Sequence, residues 1–301
     1  MTQLTNVEDQ IRTLIGNIAG AEADAGVYAL HFGTGREIAV NADHRFPTAS
    51  TVKVPILFAL YRKAAAGEFD LRARITLEER HRVAGSGVLQ DLDPGLAPTV
   101  RDLATLMITV SDNQATDMLY TALGGVFIQS VATEIGMSET HVPRTTRALL
   151  YNLVGMDETN PEHTYAMNRE LLRIGNHNAR GWAVGIEDDN DVSTPRDMLT
   201  LLARIHAGED PSPAACAEMI DIMKRQKFNT IIPLLLPSEI EIAHKTGSIN
   251  GVRNDVGIVF APEAQGGPYA VAIMSRNMDD VIAGSNTLAQ ISRTVWDAFT
   301  A

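Results

Sequence analysis

The chain predicts a mixed α/β (α+β) fold: one five-stranded antiparallel sheet flanked by N- and C-terminal helices, plus an inserted all-α lobe. Three observations predict it. A hairpin pattern stands near the N-terminus, a run of three short strands stands near the C-terminus, and apolar residues repeat at helical spacing in between and at both ends.

The elements follow in order. Val7, Ile11, Leu14, Ile15 and Ile18 fall on one helical face, so residues 5–19 read as an amphipathic helix. Residues 26–32 read as a strand, Gly33-Thr34-Gly35 as a hairpin turn, and residues 36–41 as the returning strand. From Val52 to Ala66 the apolar spacing becomes helical. Thr99-Val100-Arg101-Asp102 resembles a capping box ahead of Leu103, Leu106 and Met107. Residues 114–123 and 126–135 are two more helices, separated by Gly124-Gly125. Thr194 is an N-cap with Pro195 in the first turn of a helix that ends at Gly208. Residues 213–220 are amphipathic and hold Cys216. Residues 239–244, 255–260 and 269–275 read as strands, and a helix over residues 281–299 closes the chain. The expected division is an α/β lobe of residues 1–48 with about 220–301, and an all-α lobe of about 49–219 with an inserted segment near 150–191. The site is expected between them.

Composition narrows the function. The 301 residues are 45% hydrophobic, enough for a sizeable core. A net charge of −12 with no basic run argues against a nucleic-acid partner. Cys216 is the sole cysteine, so there is no intramolecular disulfide and no thiolate metal cluster, and it reads as a buried thiol. No H-E-x-x-H occurs and the eight histidines show no ligand spacing, so no cofactor is expected. No stretch reaches the length of a membrane span. Residues 1–20 lack a basic segment followed by an apolar one, which is the pattern of a cytoplasmic protein or of an exported one already trimmed. A monomer acting on a small molecule is expected.

Three motifs carry chemistry: Ser50-Thr51-Val52-Lys53, Ser111-Asp112-Asn113 and Lys245-Thr246-Gly247. Each has an ordinary structural use: a helix cap beside a solvated lysine, a capped helix junction, a polar strand edge. An S-x-x-K arises by chance roughly once in a chain of this length, whereas the other two are much rarer, so the ordered trio decides. Ser50 should sit in the first turn of a helix, where unpaired N–H groups stabilise an oxyanion. Lys53 lies three residues on, on the same face, and a lysine of lowered pKa can take a serine proton. Ser111 suits a proton relay to a leaving nitrogen, and Asn113 a substrate amide. Lys245-Thr246-Gly247-Ser248 follows an alternating strand. Gly247 allows close approach, and Lys245, Thr246 and Ser248 suit a carboxylate, with Arg253 nearby. Such an edge can pair with an extended substrate.

From about Ala25 onward the chain resembles the class A β-lactamase and penicillin-recognising serine hydrolase family. The likeness includes Phe46-Pro47-Thr48-Ala49-Ser50, Gly85-Ser86-Gly87-Val88-Leu89, Ser193-Thr194-Pro195-Arg196-Asp197-Met198 and Asn254-Asp255-Val256-Gly257-Ile258. It implies a two-lobe fold with Ser50 as the acylated nucleophile, Lys53 as general base, Ser111 as proton shuttle and Lys245 as electrostatic partner. It also implies substrate contacts from Asn113, Thr246, Ser248 and Arg253, and an oxyanion hole from the N–H groups of Ser50 and Ser248. One family element is missing. The loop R-x-E-P-x-L-N, whose glutamate activates the deacylating water, matches only Arg147-Ala148-Leu149-Leu150-Tyr151-Asn152-Leu153, which puts Leu149 in the glutamate slot. Reading backward from Thr194-Pro195, the slot falls near Asn178. The long stretch from Gly155 to Asp191 contains Glu158, Glu162, His163, Glu170, His177 and Glu187. Glu162, His163 and Glu170 stand as candidates for a replacement base. The leading expectation is hydrolysis of β-lactam amides through a Ser50 acyl-enzyme with weak deacylation. The alternatives are a D-amino-acid peptidase, amidase or esterase on the same fold, and a penicillin-binding sensor that stays acylated.

Overall fold

The computed structural model describes residues 2–178 and 181–301. Its elements run α1 (Thr2–Gly16), β1 (Asp24–His31), β2 (Glu37–Val40), β3 (Phe46–Pro47), α2 (Lys53–Ala65), α3 (Val100–Thr109), α4 (Asn113–Leu123), α5 (Gly125–Glu134), α6 (Thr146–Leu153), α7 (Tyr165–Arg173), β4 (Val192–Ser193), α8 (Pro195–Ala207), α9 (Pro213–Lys224), β5 (Glu241–Ile249), β6 (Val252–Phe260), β7 (Tyr269–Arg276) and α10 (Val281–Thr300).

The five-stranded sheet has the order β2-β1-β7-β6-β5, antiparallel throughout. Successive side chains alternate between two cores. Val27, Ile38, Val259, Val271 and Ile273 pack with Ile11 of α1 and with Leu288, Val295 and Phe299 of α10. Tyr28, Val256, Ile258, Ala272 and Met274 belong instead to a core continuous with α2, α3, α4, α8 and α9. Both faces are covered, and the central strand β7 accordingly reads as a nearly unbroken apolar run from Tyr269 to Met274.

Expected caps are present. Thr99 Oγ1 accepts from Asp102 N at 3.1 Å while Asp102 Oδ2 accepts from Thr99 N at 2.9 Å. Thr194 Oγ1 accepts from Asp197 N at 3.1 Å, and Gly208 ends α8 in the left-handed region at φ 74°. Each N-cap of this kind contributes about 1 kcal/mol. Cys216 is buried in α9, its Sγ 3.1 Å from the Asp210 carbonyl.

Two local expectations need correction. β5 does not stop at His244 but runs through Lys245, Thr246 and Gly247 to Ile249, and β6 begins at Val252 rather than Asp255. Glycine lowers strand propensity, but here pairing with β6 is continuous from Glu241 to Ile249 and overrides it. The tight turn between the strands therefore lies beyond the motif. Among the described residues, no helix is long and apolar enough to cross a membrane.

Candidate active site

Ser50 lies in a 3₁₀ turn, Ala49–Val52, that precedes α2; the expected place was the first turn of the helix itself. Ala49 takes φ 46°, a conformation that costs a β-carbon residue about 1–3 kcal/mol. The surroundings hold the turn in place. Thr48 donates from both N and Oγ1 to the Asp191 carbonyl, at 2.9 and 3.0 Å. Asn254 Nδ2 donates to the Pro47 and Thr48 carbonyls at 2.8 and 3.0 Å, and Thr51 Oγ1 donates to Thr48 O at 2.7 Å. Ser50 itself is left half-buried at the cleft.

β5 is an edge strand, and its Gly247 lies against this turn. A β-carbon there would sit 2.7 Å from Thr48 O and 3.1 Å from Ser50 N, so only glycine fits. The N–H of Ser50 is thereby brought beside the β5 backbone that carries Ser248.

Ser111 sits between α3 and α4 at φ 56°. Asp112 caps α4, accepting from Ala115 N at 2.9 Å, and its other oxygen accepts from Val88 N and Leu89 N at 2.7 and 2.9 Å. The acid of this motif is therefore an anchor rather than a reagent. It draws in the Gly85–Leu89 loop, and Gly87 passes so close that a β-carbon would lie 2.4 Å from the Asp112 carboxylate. Ser86, not singled out from the sequence as a site residue, arrives with that loop and donates to Ser111 O at 2.7 Å.

Lys53 and Lys245, both buried, meet at Ser111. Lys53 Nζ donates to Ser111 O at 2.7 Å and Asn113 Oδ1 at 2.8 Å, and lies 3.0 Å from Ser111 Oγ. Lys245 Nζ lies 3.1 Å from the same Oγ and donates to Thr246 O at 2.7 Å. Burial pushes the Lys53 amine down to about 7, against the opposing pull of Asp112 and Asp117. Burial and the neighbouring Lys53 push Lys245 well below its ordinary value, partly offset by Asp255. The partners fit a neutral Lys53. A neutral amine has two N–H groups and one lone pair. Ser111 O and Asn113 Oδ1 can only accept, so they take both hydrogens and leave the lone pair for a hydroxyl proton. Asn113 is oriented for this because its Nδ2 donates to Ala84 O at 2.9 Å.

Two cavities meet at Ser50, Ser86, Ser248, Arg253 and Val281. One, about 440 Å³, also contains Ser111 and Thr246. The other, about 460 Å³, also contains Lys53, Asn113 and Leu149. Arg253 is half-buried, its Nη1 donating to Ile249 O and Val252 O at 2.8 and 2.7 Å, and burial lowers its pKa. The structure thus brings together Ser50, Lys53, Ser111, Asn113, Lys245, Thr246, Gly247, Ser248 and Arg253.

The replacement bases do not join them. Glu170 pairs with Arg173 at 2.7–2.8 Å on the exposed face of α7. His163 Nδ1 closes an exposed turn onto Asp157 N at 2.8 Å, and Glu162 lies in the same turn. His163 and Glu170 make local pairings and Glu162 is exposed in the His163 turn; contrary to the expectation, Glu162, His163 and Glu170 line neither cavity at Ser50. Of the inserted stretch, His177 and Asp191 do line the 460 Å³ cavity. Asp191 accepts from Arg144 N at 3.1 Å, and burial raises its pKa to about 8, against the pull of that bond.

Asp117 was also missed. It is buried one helical turn from Asn113 and accepts from Thr146 N and Arg147 N at 2.7 and 2.8 Å. This fixes the start of α6 and so the position of Leu149 on the cavity wall. Burial raises its pKa to about 6, against those two bonds. The available signal was a pair of polar residues, four apart, on the apolar face of α4.

A profile described as the β-lactamase enzyme family matches residues 6–299. The chain belongs to that family. It is a serine β-lactamase-like hydrolase. It is 29% identical over 282 residues to a β-lactamase of Bacillus licheniformis, covering 92% of this chain and 80% of that one. Among solved structures it resembles a β-lactamase from Sphaerobacter thermophilus, with a TM-score of 0.78, 27% identity and coverage of 97% and 96%. It also resembles a leucine-to-glutamate mutant of PBP-A solved as an acyl-enzyme complex with penicillin G, with a TM-score of 0.79, 30% identity and coverage of 98% and 96%. The five-stranded antiparallel sheet and the β-lactamase-like fold expected from the sequence are those observed.

Proposed function

We propose that this β-lactamase-family chain attacks β-lactam amides through an acyl-enzyme on Ser50 and releases the acyl group slowly. The carrying observation is the contrast between the two sides of Ser50. Lys53, Ser111 and Lys245 are arranged for acylation, whereas Leu149, Leu150 and Leu153 line the wall beside Lys53 and Asn113. Lys53 takes the Ser50 proton, and Ser111 passes a proton to the leaving nitrogen. Lys245 holds Ser111 and supplies positive field. The Ser50 and Ser248 N–H groups receive the oxyanion. Asn113, Thr246, Ser248 and Arg253 contact substrate. The relatives' activity and the penicillin G adduct of the PBP-A mutant support the reading.

The test is a time course of intact mass with one penicillin, run beside Ser50→Ala. A persistent adduct on the wild type and none on Ser50→Ala is expected. An adduct on Ser50→Ala sinks the nucleophile assignment. Release within seconds sinks slow deacylation and makes His177 the next residue to examine.

Lys53 also sets a pH dependence. Asp112, Asp117 and Lys245 face it, and its folded pKa lies near 7. The active amine is the neutral one, so acylation rises with pH, by about tenfold from pH 6 to 8, and then levels. A flat profile over that range rules out Lys53 as the base. The open edge of β5, with Ser248 exposed, supports a second reading: a peptidase, amidase or esterase for D-amino-acid peptides or short esters laid along that edge. Turnover of such substrates faster than of lactams would favour it.

A further inference from the structure

One flank of the cleft is apolar in a way the acylation chemistry does not require. Phe228 and Leu234, from the loop between α9 and β5, and Ile282, from the first turn of α10, line the cavity that contains Ser50, Ser111 and Thr246. They are 43%, 47% and 76% exposed. Single exposed apolar residues are ordinary, but three converging on one reactive centre mark a contact surface.

The two walls are built rigidly. Asp255 Oδ2 accepts from Ile232 N at 2.9 Å, and the Ile232 carbonyl accepts from Ser292 Oγ of α10 at 3.0 Å. His244, held 2.9 Å from Asp255, reaches Asn229 Oδ1 at 3.2 Å. Ile232 therefore fastens the loop to β6 and α10 together, so the loop cannot easily fold Phe228 and Leu234 away from water.

The place of this cavity relative to Ser50 says which part of the substrate enters. In the acylation step Ser50 Oγ bonds to the carbonyl carbon and its proton passes to Lys53. The C–N bond then breaks, and the nitrogen takes a proton from Ser111, which regains one from Lys53. Ser111 lines this cavity, whereas Asn113 and Leu149 line the other. The amine side of the scissile bond therefore faces Phe228, Leu234 and Ile282.

We propose that the natural substrate carries an uncharged ring or alkyl group on the amine side of the scissile bond, packed between Phe228 and Leu234 on one wall and Ile282 on the other. This rests on the Ser50 acylation reading. Thr246, Ser248 and Arg253 remain free to take a carboxylate next to that group.

The experiment uses two cephalosporins with the same acyl side chain and the same methylthio link on the amine side, one ending in phenyl and the other in an uncharged carboxamide. Acylation is followed by intact mass below saturation. The phenyl compound is expected to react about tenfold faster, equivalent to about 1.4 kcal/mol. Ile282→Asp, and separately Leu234→Asp, should each cut that ratio several-fold; both positions are exposed, so folding is little affected. Equal rates on the wild type, or a ratio that survives both substitutions, overturn the inference while leaving Ser50 acylation intact. Mass gain from neither compound overturns the acylation reading and this inference with it.

Discussion

Lys53→Met is expected to lower the rate of Ser50 acylation by about 10²–10⁴-fold, the usual effect of removing a positioned general base. Methionine nearly matches lysine in volume, so packing under α2 is retained. Two opposing terms act on stability. The Ser111 carbonyl and Asn113 Oδ1 each lose the Lys53 donor, at about 0.5–1.5 kcal/mol apiece, because Ser86 Oγ still lies 2.7 and 3.3 Å from them. Relief comes from no longer burying an amine whose pKa is already pushed down to about 7. Thermal unfolding should therefore change little while chemistry collapses. Mass-spectrometric acylation rates check this, and a variant within threefold of the wild-type rate would remove Lys53 from the mechanism.

Leu149→Glu should shorten the life of the Ser50 acyl-enzyme by about 10²-fold or more, because it puts a base where the cavity is now apolar. α6 is pinned by Asp117 at its first residues, so a side chain at position 149 faces the same space as Lys53 and Asn113. A glutamate there is buried and costs stability, but the Lys53 amine is a ready partner for its charge. The adduct decay after removal of free penicillin is the measurement. Leu149→Gln separates base chemistry from polarity, since glutamine admits water but takes no proton. Equal lifetimes for wild type and Leu149→Glu would mean that water is limited by access elsewhere.

Much of the site could be read in advance because its parts are local. Ser50 and Lys53 are one helical step apart, Ser111 to Asn113 are contiguous, and Lys245 to Ser248 form a single strand segment. The rest depends on tertiary pairing that spacing does not encode. Ser86 acquires its place only through the hold of Asp112 on Val88 and Leu89. Asp117 and Asp191 look like surface acids until burial is known. The extension of β5 through Lys245 to Ile249 rests on its pairing with β6, which local sequence does not display. Between residues 155 and 191, Glu170 pairs with Arg173, His163 closes a turn onto Asp157 and Glu162 stands exposed in that turn, and residue type alone does not separate such surface groups from a base aimed at a cleft. The apolar flank around Phe228 and Ile282 joins segments more than fifty residues apart.

Cys216 makes this molecule convenient to measure. It is the only thiol in the chain, buried beneath α9 with its Sγ against the Asp210 carbonyl. An alkylating reagent can reach it only when that region opens, so its labelling rate reports the opening equilibrium of the native state. A penicillin adduct at the proposed nucleophile Ser50 would add one mass and the reagent another at Cys216. A single spectrum then distinguishes a variant that has lost its chemistry from one that has lost its fold, with no second assay.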